Sequence, residues 1–346
     1  MKLAILFGGS SFEHEISIVS AITMKKVFKT TELSFIFVDA GRQFYLIEPE
    51  KMKSIFFSSA AYKKSKKLVL KNGAFCSEGL FGSKALKFDV LLNLIHGRDG
   101  EDGKIASLME FYAIPFISPR LEASALSYNK LYTKWLAQNL GVKTLPYQHL
   151  FKNEERKLTI AYPVIVKPVR LGSSIGVSIV KNDQEFDYAL DVAFELDTEV
   201  IIEPFIQGVK EYNLAGSFTR EWELSIIEEP HKEEFLDFEK KYMDFSRDSQ
   251  VLAAAIDEVL ASEIQESFKK IYDPLFRGAI IRCDFFVIEG EVYLNEINPI
   301  PGSMANYLFD DFEGMVERLS RYLPKEQAIE VNYDYIHSIQ SAKGKA

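Results

Sequence analysis

The chain has 346 residues, 47% of them hydrophobic and 26% charged, enough for two or three domains with substantial cores. A formal net charge of −9 argues against a general nucleic-acid binder, while leaving room for a locally basic cleft that takes a small anion. With two cysteines, Cys76 and Cys283, no signal-peptide pattern and no apolar run approaching ~18 residues, secreted, membrane-spanning and disordered classes are set aside and a cytoplasmic chain is expected.

Residues 2–7 read as a buried parallel strand, followed by the loop Gly8-Gly9-Ser10-Ser11 and a helix over about 15–28 with Ile16, Val19, Thr23 and Val27 on one face. A strand is predicted at 33–38. The Lys-rich stretch 62–87 reads as an irregular, solvated excursion. A strand at 90–95, a polar loop at 96–103 and a helix at 104–112 complete an open α/β domain of parallel strands over 1–118. Beyond Pro119 a single helix is predicted over 121–140, capped by Gly141. Strands at 164–167, 176–180 and 199–203 and a helix near 185–195 make a second unit, 119–203. The third unit, 204–346, has strands at 212–219 and 223–227, a polar loop at 229–249, a helix at 262–272, a hairpin over 279–298 and a helix over 313–322. Its tail from 324 reads as frayed.

The hairpin carries the strongest chemical signal. Asp284, Glu296 and Asn298 are hard oxygen donors of the kind Mg2+ takes. Glu296 and Asn298 are two apart on a strand and share a face. A two-residue turn at Glu289-Gly290 would pair Glu296 with Cys283, so bringing Asp284 opposite Glu296 requires a three-residue turn or a bulge. A solvated hairpin with scattered acids is the alternative. The second signal is Lys167 followed by the small-residue loop Leu171-Gly172-Ser173-Ser174-Ile175-Gly176, whose backbone could approach phosphate. It is not a Walker A loop, and a flexible turn is the alternative. Glu13 and Glu15 stand at a helix start, where capping is the ordinary reading. The loop His96–Gly103 suits either a binding loop or a polar turn. Lys130 by itself reads as a surface lysine, and no Cys/His spacing supports zinc or a nucleophile.

Taken together, four segments resemble the D-alanine–D-alanine ligases, members of the ATP-grasp superfamily. They are LFGGSSFEHEISIVSA at 6–21, HGRDGEDG at 96–103, the pair KPVRLGSSIGVS (167–178) with RCDFF…NEINPIPG (282–302), and EKKY at 239–242. The resemblance runs from residue 3 to about 322 in the family order. It implies a three-domain ATP-grasp fold, a homodimer, no membrane and a cytoplasmic role in peptidoglycan synthesis. It also implies ATP-driven joining of two D-alanines through an acyl phosphate, with two Mg2+ or Mn2+ ions. By the resemblance, Lys130, Lys167, Ser174, Glu203, Ile206, Glu211 and Lys241 hold ATP, and Asp284, Glu296 and Asn298 hold the metals. Arg282 and the Gly302 N–H stabilise the oxyanion. Glu15, His96, Lys241 and Tyr307 surround the two D-alanines, and Glu15, Ser173 and Tyr242 form a hydrogen-bonded set that closes a lid over 229–249.

The chain departs from the family pattern at Pro204, Leu236, Phe238 and Tyr307, which bears on nucleotide and acceptor affinity. Lys241-Tyr242 favours an amine acceptor over D-lactate. Two other readings stay open. Another superfamily ligase would lack the Glu15 motif, and a non-catalytic nucleotide-binding regulator would have lost Arg282 or a metal ligand.

Overall fold

The structure, a computed structural model, describes residues 1–79, 82–230 and 253–343. Strand β1 (Lys2–Gly8) is buried from Leu3 onward, as a strand covered on both faces must be. Gly8 ends it at φ 101°, where a Cβ would lie 2.2 Å from the Val38 carbonyl oxygen, so only glycine lets the chain turn there. Helix α1 (His14–Val27) then crosses over to β2 (Glu32–Val38), which pairs parallel with β1.

The predicted excursion is instead ordered sheet. After β3 (Phe44–Ile47) and a short helix α2 (Ser54–Ser58) come β4 (Lys66–Lys71), β5 (Ala74–Gly79) and β6 (Gly82–Ala85), all antiparallel. Leu68 and Phe75 are buried while the lysines around them face water. Those few apolar anchors suffice because the strands extend an existing sheet. Next come β7 (Val90–Asn93), α3 (Lys104–Phe111) and β8 (Phe116–Ile117). The eight-stranded order is β6-β5-β4-β3-β2-β1-β7-β8, so a parallel half containing β2, β1, β7 and β8 carries an antiparallel extension.

The single helix expected over 121–140 is two, α4 (Leu121–Tyr128) and α5 (Lys130–Asn139). Asn129 leaves the helical region and its side chain accepts from the N–H groups of Leu131 (2.9 Å) and Tyr132 (3.2 Å), capping the second helix. The break places Lys130 at a helix start.

A four-stranded antiparallel sheet follows, built from β9 (Gln148–Phe151), β10 (Val164–Pro168), β11 (Ser178–Val180) and β12 (Glu199–Pro204), with α6 (Asp183–Leu196) on its apolar face. A third sheet, in the order β14-β13-β15-β16, holds β13 (Lys210–Phe218), β14 (Trp222–Leu224), β15 (Ile281–Ile288) and β16 (Glu291–Asn298). Helix α7 (Glu258–Tyr272) packs against it through Ile264, Phe268 and Ile271. Helix α8 (Phe312–Ser320) returns to the first sheet and buries Phe312, Met315, Val316 and Leu319 in the same core as Phe7, Phe28 and Phe35. The tail is helical over α9 (Asp334–Lys343), with Tyr335, Ile336 and Ile339 exposed. No described helix is long and apolar enough to cross a membrane.

The return of α8 is secured by one carboxylate. Glu313 accepts from the N–H groups of Lys29, Thr30 and Thr31 and from both threonine hydroxyls, at 2.8–2.9 Å. Burial opposes its ionisation, but these donors outweigh it and lower its pKa from 4.5 to about 2. A depressed carboxyl pKa gives stability that is full above about 4.5 and fades as pH falls through about 2. Glu313→Gln should therefore cost about 1–3 kcal/mol near neutral pH, with the gap from wild type narrowing below pH ~4. Urea unfolding across pH 3–7 checks this, and a gap independent of pH would refute it.

Candidate active site

The β15–β16 hairpin resolves the register question. Its turn is the two-residue Glu289-Gly290, with Ile288 opposite Glu291, and a bulge between Asp284 and Phe285 shifts the ladder. Phe285 pairs with Leu294, but Asp284 pairs with Glu296 and Arg282 with Asn298, leaving Asn295 as the extra residue. Cys283, Phe285, Leu294 and Ile297 thus enter the core while Arg282, Asp284, Glu296 and Asn298 share the opposite face. The Arg282 guanidinium grips Asp284 with both arms, Nε to Oδ1 at 2.7 Å and Nη2 to Oδ2 at 2.8 Å, and Asn298 Nδ2 donates to Oδ2 at 3.0 Å. Burial works against the Arg282 charge, yet Asp284 more than compensates and raises its pKa well above normal.

Lysines from other elements face this hairpin. Lys167, at the end of β10, donates to Glu203 Oε2 at 2.7 Å and lies 3.5 Å from Asn295 Oδ1. Lys134, one turn beyond Lys130 on α5, reaches Glu203 Oε1 at 2.5 Å. Burial would keep Glu203 protonated, but the two lysines outweigh it and pull its pKa down to about 2. Lys130 donates to the Leu171 carbonyl, and burial lowers its pKa despite the nearby Glu296 charge. A narrow cavity of ≈ 40 Å³ is lined by Glu101, Tyr128, Lys130, Gly172, Glu296 and Asn298. Among the described residues Glu296 accepts no hydrogen bond, so its oxygens are available to a ligand. Two carboxylates and an amide oxygen beside cationic lysines are a donor set that fits a hard divalent ion carrying phosphate.

The helix-start acid that meets the glycine loop is Glu13, not Glu15. Ser173 Oγ donates to Glu13 Oε1, and Glu13 makes no side-chain cap. Gly97 and Gly172 press on the same carboxylate, since a Cβ on either would lie 2.4 and 3.0 Å from its oxygens. Glu15 is exposed in the first turn of α1. Glu13 is the N-cap, outside the helical run, and its side chain is buried against the glycine loop while Glu15 faces solvent. His96 is buried beside them, its Nδ1 3.7 Å from Glu101.

Family models match the chain twice: "D-ala D-ala ligase N-terminus" over residues 2–119 and "D-ala D-ala ligase C-terminus" over 136–312. The chain belongs to the D-alanine–D-alanine ligase family. It is an enzyme of the ligase class with that family's α/β ATP-grasp fold. It is 73% identical to the D-alanine–D-alanine ligase of Sulfurovum sp. over all of both chains. The crystal structure of the Helicobacter pylori D-alanine–D-alanine ligase superposes with TM-score 0.85 at 50% identity, covering 94% of this chain and 100% of that one. That of the VanG D-Ala:D-Ser ligase of Enterococcus faecalis gives 0.75 at 26%, covering 92% and 98%.

The remaining expected residues take these places in the structure, or lie outside the described residues. Ser174 follows Ser173 in the glycine loop, both with positive φ. Glu211, on β13, lies close enough to Lys167 to support its charge. Ile206 is half-buried just after β12, and Gly302 opens the turn that follows β16. The Tyr307 hydroxyl donates to Glu228 Oε2 at 3.3 Å, so this phenol is tied to an acid. Lys241 and Tyr242, with most of the expected lid including Leu236 and Phe238, lie outside the described residues. The structure also brings Glu13, Lys134 and Asn295 into these contacts, where the sequence reading does not expect them. For Lys134 the signal was its i+4 spacing from Lys130, and for Asn295 it was the register argument itself.

Burial and the neighbouring Glu101 raise the Glu13 pKa from 4.5 to about 7, against the pull of Ser173, His96 and Lys130. In Glu101→Gln the Glu13 midpoint should therefore fall, and in Lys130→Ala it should rise. Carboxyl-carbon NMR of the unliganded chain reads both, and a midpoint that ignores Glu101 would contradict this account.

Proposed function

We propose that this chain joins two D-alanines into D-alanyl-D-alanine, cleaving ATP to ADP and phosphate. The observation that carries the reading is the single bulged hairpin that presents Arg282, Asp284, Glu296 and Asn298 toward Lys130 and Lys167. A carboxylate is a poor electrophile. A carboxylate oxygen of the first D-alanine attacks the γ-phosphorus, ADP leaves, and an acyl phosphate results. The amine of the second D-alanine then attacks the acyl carbon, loses a proton, and phosphate departs.

Phosphoryl transfer is mostly positioning and charge neutralisation. Lys130 and Lys167 take the phosphates, and Lys134 keeps Glu203 ionised and fixed beside the adenine, with Ile206 and Glu211 on the rest of the nucleoside. Ser174 and the backbone of its loop cover the phosphates. Asp284, Glu296 and Asn298 hold two Mg2+ or Mn2+ ions, which screen phosphate charge when bound. Arg282 and the Gly302 N–H receive the oxyanion. Glu13 anchors the ammonium of the first D-alanine, and its link to Ser173 holds the glycine loop down, which excludes water from the acyl phosphate. His96 and Lys241 contact substrate, and Tyr242 closes the lid. Tyr307, held by Glu228, borders the acceptor. We place the reaction in the cytoplasm, in a homodimer whose protomers comprise units 1–118, 119–203 and 204–346, serving peptidoglycan precursor synthesis.

The decisive assay is phosphate release from ATP that depends on D-alanine, with L-alanine as control and the dipeptide identified chromatographically. Equal release with both amino acids would sink the proposal. Glu296→Gln should abolish turnover with the fold intact by circular dichroism. Lys167→Ala should weaken ATP binding roughly 10- to 150-fold by calorimetry, the range for a buried charge-assisted contact. An unchanged dissociation constant would remove Lys167 from the phosphate site.

A further inference from the structure

Helix α1 carries two serines on its buried face, and they are used differently. Ser17 accepts from the Gly8 N–H at 2.8 Å and donates to the Leu94 carbonyl at 2.6 Å, a purely backbone staple. Ser20 is 1% exposed and also has two partners, but one of them is the His96 imidazole. It accepts from the Ser303 N–H at 3.0 Å and lies 3.0 Å from His96 Nε2. A hydroxyl has one proton and two lone pairs. Ser303 N–H takes one lone pair, and among the described residues His96 Nε2 is the other polar atom within hydrogen-bond reach of Oγ, so the arrangement that gives the Ser20 proton an acceptor leaves Nε2 unprotonated. The ring proton then sits on Nδ1, the atom that faces Glu101 at 3.7 Å.

The other end of this link is strained. Ser303, Met304 and Ala305 follow one another at φ 47°, 55° and 49°, a left-handed run without glycine. Met304 N–H returns to the Pro301 carbonyl at 2.7 Å, and Asn306 Nδ2 reaches the Ser303 carbonyl at 2.8 Å. Ser20 supplies the contact from outside the turn. The Ser303 hydroxyl itself is buried without a hydrogen-bond partner among the described residues.

We infer that Ser20 is a positioning residue that sets the His96 tautomer and docks the 302–305 turn with one hydroxyl, coupling the side of the cleft that holds the first D-alanine to the turn beside the acceptor. The inference rests on the ligase reading for its consequence in turnover, but not for the tautomer. Ser20→Ala removes the donor to Nε2 and the acceptor for Ser303. Ser20→Thr keeps both.

The test is nitrogen-15 NMR on the full chain labelled at its five histidines, with His96 assigned by a His96→Gln variant, together with steady-state kinetics. Wild type and Ser20→Thr should show the Nδ1-protonated ring, and Ser20→Ala a mixture containing the Nε2-protonated form. In Ser20→Ala, kcat/KM for D-alanine should fall about 10- to 100-fold while KM for ATP moves less than about twofold, because misplacement of about 1 Å at the reacting groups has effects of this size. Thr should restore most of the loss. An unchanged tautomer in Ser20→Ala overturns the inference, as does a loss that Thr does not restore while the ring signals stay as in wild type. The histidine signals need no turnover, so they decide the tautomer even if the wild-type chain makes no dipeptide.

Discussion

One extra residue in one strand organises the site. Glu289-Gly290 makes a tight hairpin, and a regular ladder from that turn would set Glu296 against Cys283. The bulge at Asn295 reverses the facing of everything beyond it, so that Glu296 and Asn298 join Arg282 and Asp284. The same step lets Ile297 remain in the core with Leu294, although three positions separate them. Core packing and the placement of four charged or polar side chains therefore depend on the same irregularity.

The cleft handles its buried charges in pairs before any substrate arrives. Lys134 and Lys167 share Glu203, and Arg282 and Asp284 form a two-pronged pair. Isolated ions at these depths would be expensive, and pairing offsets that cost. Lys130, bonded to the Leu171 carbonyl, and Glu13 stand outside such pairs. The Glu13 carboxylate sits between Ser173, Gly97 and Gly172 with a like charge on Glu101 nearby, and it titrates near neutrality. A cationic ammonium beside it would offset that repulsion, which gives the pocket a preference for a positively charged partner.

Backbone strain collects in the same region. Ser173-Ser174 and Ser303–Ala305 are left-handed runs of ordinary residues, one beside Glu13 and the other following β16. Conformations of this kind persist where surrounding contacts over-determine them. Here those contacts are Glu13 on the first run, and Ser20 and Asn306 on the second.

By itself, the sequence determined the α/β class, the buried parallel strands and the set of oxygen donors on the hairpin. Each is written in local pattern: KLAILF is apolar without interruption, and Asp284, Glu296 and Asn298 carry their chemistry wherever they sit. It also posed the right condition on the hairpin, a longer turn or a bulge, without power to choose, because both satisfy the same pairing. What only the tertiary structure decided were matters of facing and of distant partners. Whether Glu13 or Glu15 enters the cleft depends on where α1 starts relative to the glycine loop, a packing question between segments some 160 positions apart. The stretch that holds β4 and β5 reads as solvated because of its lysines, yet Leu68, Phe75, Cys76 and Ser77 are buried where the two strands extend a sheet edge. Asn129 broke a helix that propensity would have continued, since its side chain could cap the next one. Lys134 meets Glu203, on a strand with no local relation to it, as that carboxylate's second cation.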